Sequence, residues 1–315
     1  MTLRQAGPVG FLLLLGTGWG LTQTLSKIAV STGHPPLGLI FWQLVIGVAV
    51  LGPLVAMRGG RIPLTRATAA FFVLVALLGT IIPNTVSYAA YVHLPAGIMS
   101  IVISAVPILA FPIALALGTD RFDWTRVLGL ACGLAGVALI ALPQEGLPAG
   151  VATGWLILAL VSPFCYALEA NYVARWGTAG LDPIAAMFGA SLAGAVLALP
   201  LALATGQFID PRPAWGAPEA ALVLSSVIHA LMYAGYVWLV GRAGPVFAGQ
   251  TSYVVTGAGV VWAMAILGER YSGWVWAALA VMLAGIFLVR PRRPARPGIA
   301  PPAPCDAPAI GEGCA

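Results

Sequence analysis

Apolar stretches of about twenty residues follow one another along nearly the whole 315-residue chain, and no other feature limits its folding as much. A helix needs about 20 apolar residues to cross about 30 Å of hydrocarbon. The charge content agrees: 8% of residues are charged and 60% are hydrophobic, whereas soluble domains carry about 25% charged residues. So few charges cannot cover a water-exposed surface, which excludes a soluble enzyme. The segments are continuously apolar and do not alternate at period two, which excludes an outer-membrane barrel. The chain therefore reads as an all-α polytopic membrane protein whose first partner is the lipid bilayer. Its pI of 9.3 implies no nucleic-acid partner, because the basic residues lie mainly in short loops, where they set orientation.

Charges, Pro/Gly clusters and hydrophilic dips divide the chain into ten transmembrane helices. They run Pro8–Ser31, Pro36–Met57, Ala67–Val92, Ala96–Leu117, Trp124–Leu142, Val151–Arg175, Pro183–Ala204, Ala217–Leu239, Pro245–Leu267 and Trp274–Val289. The first is read as a retained span, since no small-residue cleavage site follows it. One set of loops holds Arg4, Arg58, Arg61, Arg66, Arg121, Arg126, Arg175, Arg242, Arg290, Arg292, Arg293 and Arg296, and the other only Arg212 and Arg270. The positive-inside rule then puts both termini in the cytoplasm, with the protein in the plasma (inner) membrane. Trp124, Trp155, Trp176, Trp215, Trp274 and Trp276 fall near span ends, as interfacial anchors do. Residues 291–315, basic and then rich in Pro and Ala, read as a disordered cytoplasmic tail.

The chain also repeats itself. Tyr88-Ala-Ala-Tyr-Val-His-Leu94 returns as Tyr233-Ala-Gly-Tyr-Val-Trp-Leu239, and Asp120-Arg121 returns as Glu269-Arg270. Each acid–Arg pair leads into a small-residue helix, Gly129 to Gly136 and then Ala278 to Gly285. The expected units are a first five-helix repeat over residues 1–145 and a second over 146–290. Five is odd, so the second repeat enters the membrane inverted, and inverted repeats are the architecture of alternating access around a midplane site. The fold class is thus ten transmembrane helices as two inverted five-helix repeats.

On these residues, with the Trp19-Gly20 pair of the first span, the sequence resembles the EamA branch of the drug/metabolite transporter superfamily. The resemblance covers about residues 8–290. It departs at Asp120, where the family usually has Glu, and at Cys165-Tyr166-Ala167, where Trp-Ala is more usual. It implies a bundle of ten helices around a central cavity, exporting amino acids, other small metabolites or toxic organic compounds.

Charged side chains inside a membrane cost about 2.5–3.5 kcal/mol each on insertion scales and mark functional candidates. Glu169, His229 and Lys27 are the three. Glu169 is either a carboxylate near the cytoplasmic interface, snorkelling or pairing with Arg175, or a proton carrier or counter-charge for a substrate amine. His229 is either a hydrogen-bonded core histidine or a proton relay. Lys27 either snorkels outward, or binds a substrate carboxylate or gates the outer mouth. Uncharged polar and aromatic groups complete a candidate substrate-binding set of Trp19, Gln23, Gln43, Asn84, Tyr88, Tyr166, His229, Tyr233, Gln250 and Tyr253. For any single one of these, interhelical hydrogen bonding is the simpler role. Together they suit an amphipathic cavity for an apolar or aromatic amino acid, or for a lipophilic cation. Pro83, Pro107, Pro112, Pro163, Gly257 and Gly259 interrupt spans where a moving bundle needs breaks. The spacings Gly16-xxx-Gly20 and Gly129-xxx-Gly133 allow close helix packing, within a monomer or between the subunits of a homodimer.

No catalytic residue, cofactor or metal site is expected. The chain has ten acids and three histidines, with no zinc-helix, nucleophile-elbow or phosphate-loop motif. The expected function is secondary active transport, with export of small organic metabolites such as amino acids. Proton coupling is open. The alternatives are a multidrug or organic-cation exporter, and a membrane-embedded enzyme acting on lipid-linked substrates.

Overall fold

The structure is a computed structural model that describes residues 3–59, 62–119, 121–141, 153–212, 215–243 and 251–288. Every regular element among these residues is helical. The helices are α1 (Leu3–Ala29), α2 (Pro36–Met57), α3 (Arg66–Ala76), α4 (Ile82–His93), α5 (Ala96–Ile103), α6 (Val106–Ala116) and α7 (Trp124–Ala141) in the first half. The second half holds α8 (Thr153–Ala159), α9 (Val161–Trp176), α10 (Pro183–Ala204), α11 (Ala217–Ala243), α12 (Thr251–Leu267) and α13 (Gly273–Leu288). A π-turn, Leu77–Ile81, joins α3 to α4.

Among the described residues, six helical stretches are long and apolar enough to cross a membrane: Pro36–Met57, Arg66–His93, Ala96–Ala116, Thr153–Trp176, Pro183–Ala204 and Ala217–Tyr236. Val127–Ile140, Thr251–Leu267 and Gly273–Gly285 are shorter apolar helices. Leu134, Ile157, Val196 and Val261 are exposed along these rods, and Leu13 and Leu14 along α1, as lipid-facing residues are. Trp124, Trp176, Trp215, Trp274 and Trp276 are exposed at or beside helix ends. The anticipated tail, 291–315, lies outside the described residues, as do Asp120 and Gln250.

Proline explains where the rods break. It has no N–H to give to the preceding turn, which lets the helix change register ahead of it; α2, α6 and α10 nevertheless run on through Pro53, Pro112 and Pro200, so the break expected at Pro112 is not made. Before Pro83 the chain widens into the π-turn, with the Ile82 amide donating to the Leu77 carbonyl. Before Pro107 it tightens, the amides of Ser104 and Ala105 reaching only three residues back, to Ile101 and Val102. Before Pro163 it breaks at Leu160, whose amide reaches back to Ile157.

Packing follows a two-fold exchange of the halves. α1 packs on α11 and on α12; correspondingly, α9 packs on α4 and on α6. α2 packs on α11, and α10 on α3. The pairs α2–α10, α7–α13 and α5–α12 join corresponding rods of the two halves. Glycine lets backbones meet at these crossings. A Cβ on Gly20 would stand 2.8 Å from the Gly259 amide nitrogen and 3.0 Å from the Val255 carbonyl. One on Gly285 would stand 2.8 Å from the Gly129 carbonyl oxygen. Both small-residue spacings are thus used within the chain, α1 against α12 and α7 against α13.

Candidate functional site

The candidate residues fall into three groups, two of which meet at Glu169. The first group is a polar chain across α2, α4 and α9. Asn84 Nδ2 donates to Gln43 Oε1 at 3.0 Å, and the Tyr88 hydroxyl donates to the same oxygen at 3.0 Å. The Tyr166 hydroxyl donates to Asn84 Oδ1 at 2.9 Å. Below it, the Ser87 and Ser162 hydroxyls lie 2.8 Å apart, and Ser162 donates to the Pro83 carbonyl at 2.8 Å. Each group is a modest interhelical bond; together they hold the π-turn side of α4 against α9.

The second group is aromatic. Trp19 of α1 faces three rings of α11: His229 at 6.2 Å, Tyr233 at 6.5 Å and Tyr236 at 5.5 Å between centroids. His229 is exposed although it sits in the middle of a long apolar helix on the face turned toward α1. Trp262 closes this side from α12, its indole donating to the Thr17 carbonyl at 3.1 Å.

Glu169 lies between the two groups, electrostatically coupled to Tyr166 and to Tyr233. Its carboxylate rests on Gly79 of the π-turn. A Cβ at 79 would stand 2.6 Å from Oε2 and 2.9 Å from Oε1. Among the described residues no hydrogen bond or ion pair ties Glu169 to a neighbour. The pairing with Arg175 considered from sequence is not made. Gly79 and the π-turn are the parts of the site that sequence reasoning missed. Their signal was a glycine four residues ahead of a mid-span proline.

The third group is at the C-terminal end of α1 and adjoins the first through Tyr91 and Tyr88 of α4. Lys27 Nζ donates to the carbonyls of Tyr91 and Leu94, at 3.0 Å for Leu94, with Val92 at 3.4 Å. It thus satisfies carbonyls at the C-terminus of α4, where a cation also suits the helix dipole. Beyond the break at Pro95, Glu269 accepts from the Ala96 amide at 2.8 Å and the Gly97 amide at 3.2 Å, the N-terminus of α5. The Tyr271 hydroxyl also donates to Glu269. Burial first, and then this bond, push the Tyr271 hydroxyl up, so it stays a donor at any physiological pH. Gly268, at φ +67°, makes the turn that brings Glu269 back beneath α5. A cavity of about 540 Å³ opens here, lined by Lys27, Ser31, Tyr91, Leu267 and Glu269. Gln23 belongs to this end too, accepting from the Tyr91 hydroxyl. The lysine and the glutamate both line this cavity, each already hydrogen-bonded to backbone. Replacing Lys27 with Met should leave the α4 carbonyls uncapped and cost about 1–3 kcal/mol. A lowered thermal midpoint in detergent, with counterflow kept at permissive temperature, is the expected result.

Tyr253 stands away from all three groups, packed with Ile108 and Phe111 between α12 and α6. Gln250 lies outside the described residues. Among the described residues no three His, Cys, Asp or Glu side chains come together as a metal would need.

The comparisons extend this geometry. The family model described as the EamA-like transporter family matches residues 8–142 and again 153–290. None of the curated proteins compared with the chain matches it. One solved structure, titled only "Crystal structure of protein", is 21% identical, spans 88% of this chain and 95% of its own, and superposes with a TM-score of 0.59. At that identity it speaks for the fold alone.

Proposed function

The chain belongs to the EamA-like transporter family, and from that premise we propose that it is a secondary active exporter of small organic metabolites, such as amino acids. It works by alternating access. The observation that carries this reading is the exchange symmetry of the packing: α1 meets α11 and α12 as α9 meets α4 and α6. On this reading each broken rod, and each shorter apolar helix, is one crossing, five per half, which inverts the second half. Repeats of that kind can close a shared midplane site toward either side of the membrane with one set of contacts. The units are residues 1–145 and 146–290, with both termini on the cytoplasmic side of the inner membrane. The substrate space is the one bounded by Trp19, Gln43, Asn84, Tyr166, Glu169 and Tyr233.

Counterflow in proteoliposomes tests the reading without any assumption about the driving ion. Vesicles are preloaded with unlabelled amino acids, nucleosides or organic cations, and entry of labelled tracer is followed. Transient accumulation with one class is expected. Flat traces across the panel from folded protein would count against a carrier.

A second reading, an exporter of organic cations, is supported by Glu169. The carboxylate interacts electrostatically with Tyr166 and Tyr233, and among the described residues no basic side chain pairs with it, a surround that favours positive charge.

A further inference from the structure

The π-turn does more than bend a helix. Its geometry leaves one backbone oxygen without the donors a helix supplies. The Ile82 amide goes to Leu77, and Pro83 has no amide, so the Leu78 carbonyl loses both the four- and five-residue bonds it could accept. A carbonyl stripped in this way inside a membrane is costly unless something else satisfies it. One residue further along, Gly79 lets the Glu169 carboxylate seat directly on the turn. The Glu169 carboxylate and the turn that deprives the Leu78 carbonyl of its helical donors therefore meet at Gly79, and no described donor serves the carboxylate. The aromatic rings of Tyr233 and Trp19 stand beyond it.

We propose that Glu169 and the π-turn Leu77–Ile81 form the subsite that holds the protonated primary amine of the substrate. The proposal rests on the carrier reading above and names the part of the substrate recognised. A primary ammonium brings both things the site lacks. Its charge offsets the carboxylate, and its three N–H groups can serve two acceptors at once. A quaternary ammonium offers the charge without the donors, so the site discriminates against it. Unwound carbonyls beside a broken helix are a recurring way to coordinate a positive group in transporters. Gly79 is what makes the seat possible: any larger residue there occupies the space of the carboxyl group.

The test uses the full-length protein in detergent and in proteoliposomes. Binding is read as quenching of tryptophan fluorescence and as ligand-induced thermal stabilisation, with 2-phenylethylamine as the probe. Its comparators are neutral 3-phenylpropan-1-ol, quaternary trimethylphenethylammonium and sodium chloride alone. Wild type should bind the primary amine at least tenfold more tightly than either organic comparator, and sodium chloride alone should leave the signal unchanged. Glu169→Gln should lose that preference tenfold or more, and Gly79→Ala should match it while Glu169→Asp retains part. Equal binding of the amine and the alcohol, or a preference unchanged by Glu169→Gln, would overturn the subsite. So would a sodium chloride shift abolished by Glu169→Gln, which would make the site one for a metal cation. Because Gly79→Ala can disturb folding, its thermal midpoint without ligand is measured alongside; Glu169→Gln, which is isosteric, decides if Gly79→Ala is lost. The carrier reading fails separately, through flat wild-type counterflow, and this leaves the binding result intact.

Discussion

Replacing Glu269 with Gln is expected to lower the thermal midpoint more than any other single polar substitution at the α4–α5 break. The carboxylate accepts from two backbone amides at 2.8 and 3.2 Å and from the Tyr271 hydroxyl. Those amides are the first of α5, and nothing inside the helix can take them. Gln offers one carbonyl in place of two oxygens and turns its NH2 toward donors, so at least one amide is left unserved. Hydrogen bonds to a charged acceptor are worth about 1.5–3 kcal/mol each, and burial of the orphaned donor adds to the loss. The expected cost is about 3 kcal/mol, seen as a lower midpoint in detergent and a reduced monodisperse yield. Tyr271→Phe removes one donor and leaves the carboxylate on α5, so its effect should be about a third as large. The specificity of counterflow in the surviving Glu269→Gln protein should be unchanged. Normal stability with altered substrate choice would move Glu269 from anchoring the helix to contacting the ligand.

The same residue shows where sequence reasoning reaches its limit. Glu269-Arg270 is visible in the sequence only as the returning member of a repeated acid–Arg motif, and adjacency alone suggests that the two pair with each other. The partner is instead an amide pair 173 and 172 residues away in sequence, and no local pattern encodes it. Glu169 is a second case. Its place in an apolar span marked it as costly and so as a candidate. Its seat on Gly79 depends on α9 crossing the π-turn, which only tertiary packing decides. The spans themselves were legible because membrane thickness sets a length that composition must satisfy. Pro83, Pro107 and Pro163 were legible as breaks, yet the first widens its helix and the second tightens it. The missing amide permits a change of register without requiring one, since α6 runs unbroken through Pro112, and the surrounding packing decides whether and which way it changes. Gln43, Asn84, Tyr88 and Tyr166 were each visible as polar residues in apolar surroundings, and their pairing required the fold.

Gly20→Val and Gly285→Val should each abolish the folded protein, the largest loss anticipated for an uncharged substitution. At Gly20 the obstructing atoms are a backbone amide at 2.8 Å and a backbone carbonyl at 3.0 Å; at Gly285 the closest is a backbone carbonyl at 2.8 Å. No rotamer change relieves a clash with backbone, so α1 must separate from α12, or α7 from α13. Such contacts are what holds membrane helices together, since lipid removes the hydrophobic drive between them. Overpacking a tight core typically costs about 1–3 kcal/mol even where side chains can yield, and here they cannot. Gly257 supplies the control on α12 itself, because a Cβ there meets nothing within 4 Å. Gly257→Ala should be neutral or stabilising, by up to about 1 kcal/mol from helix propensity. Size-exclusion profiles and thermal midpoints in detergent check the three together. A folded, monodisperse Gly20→Val protein would mean that α1 and α12 are not in backbone contact, and the central space between α1 and α11 would have to be redrawn with them.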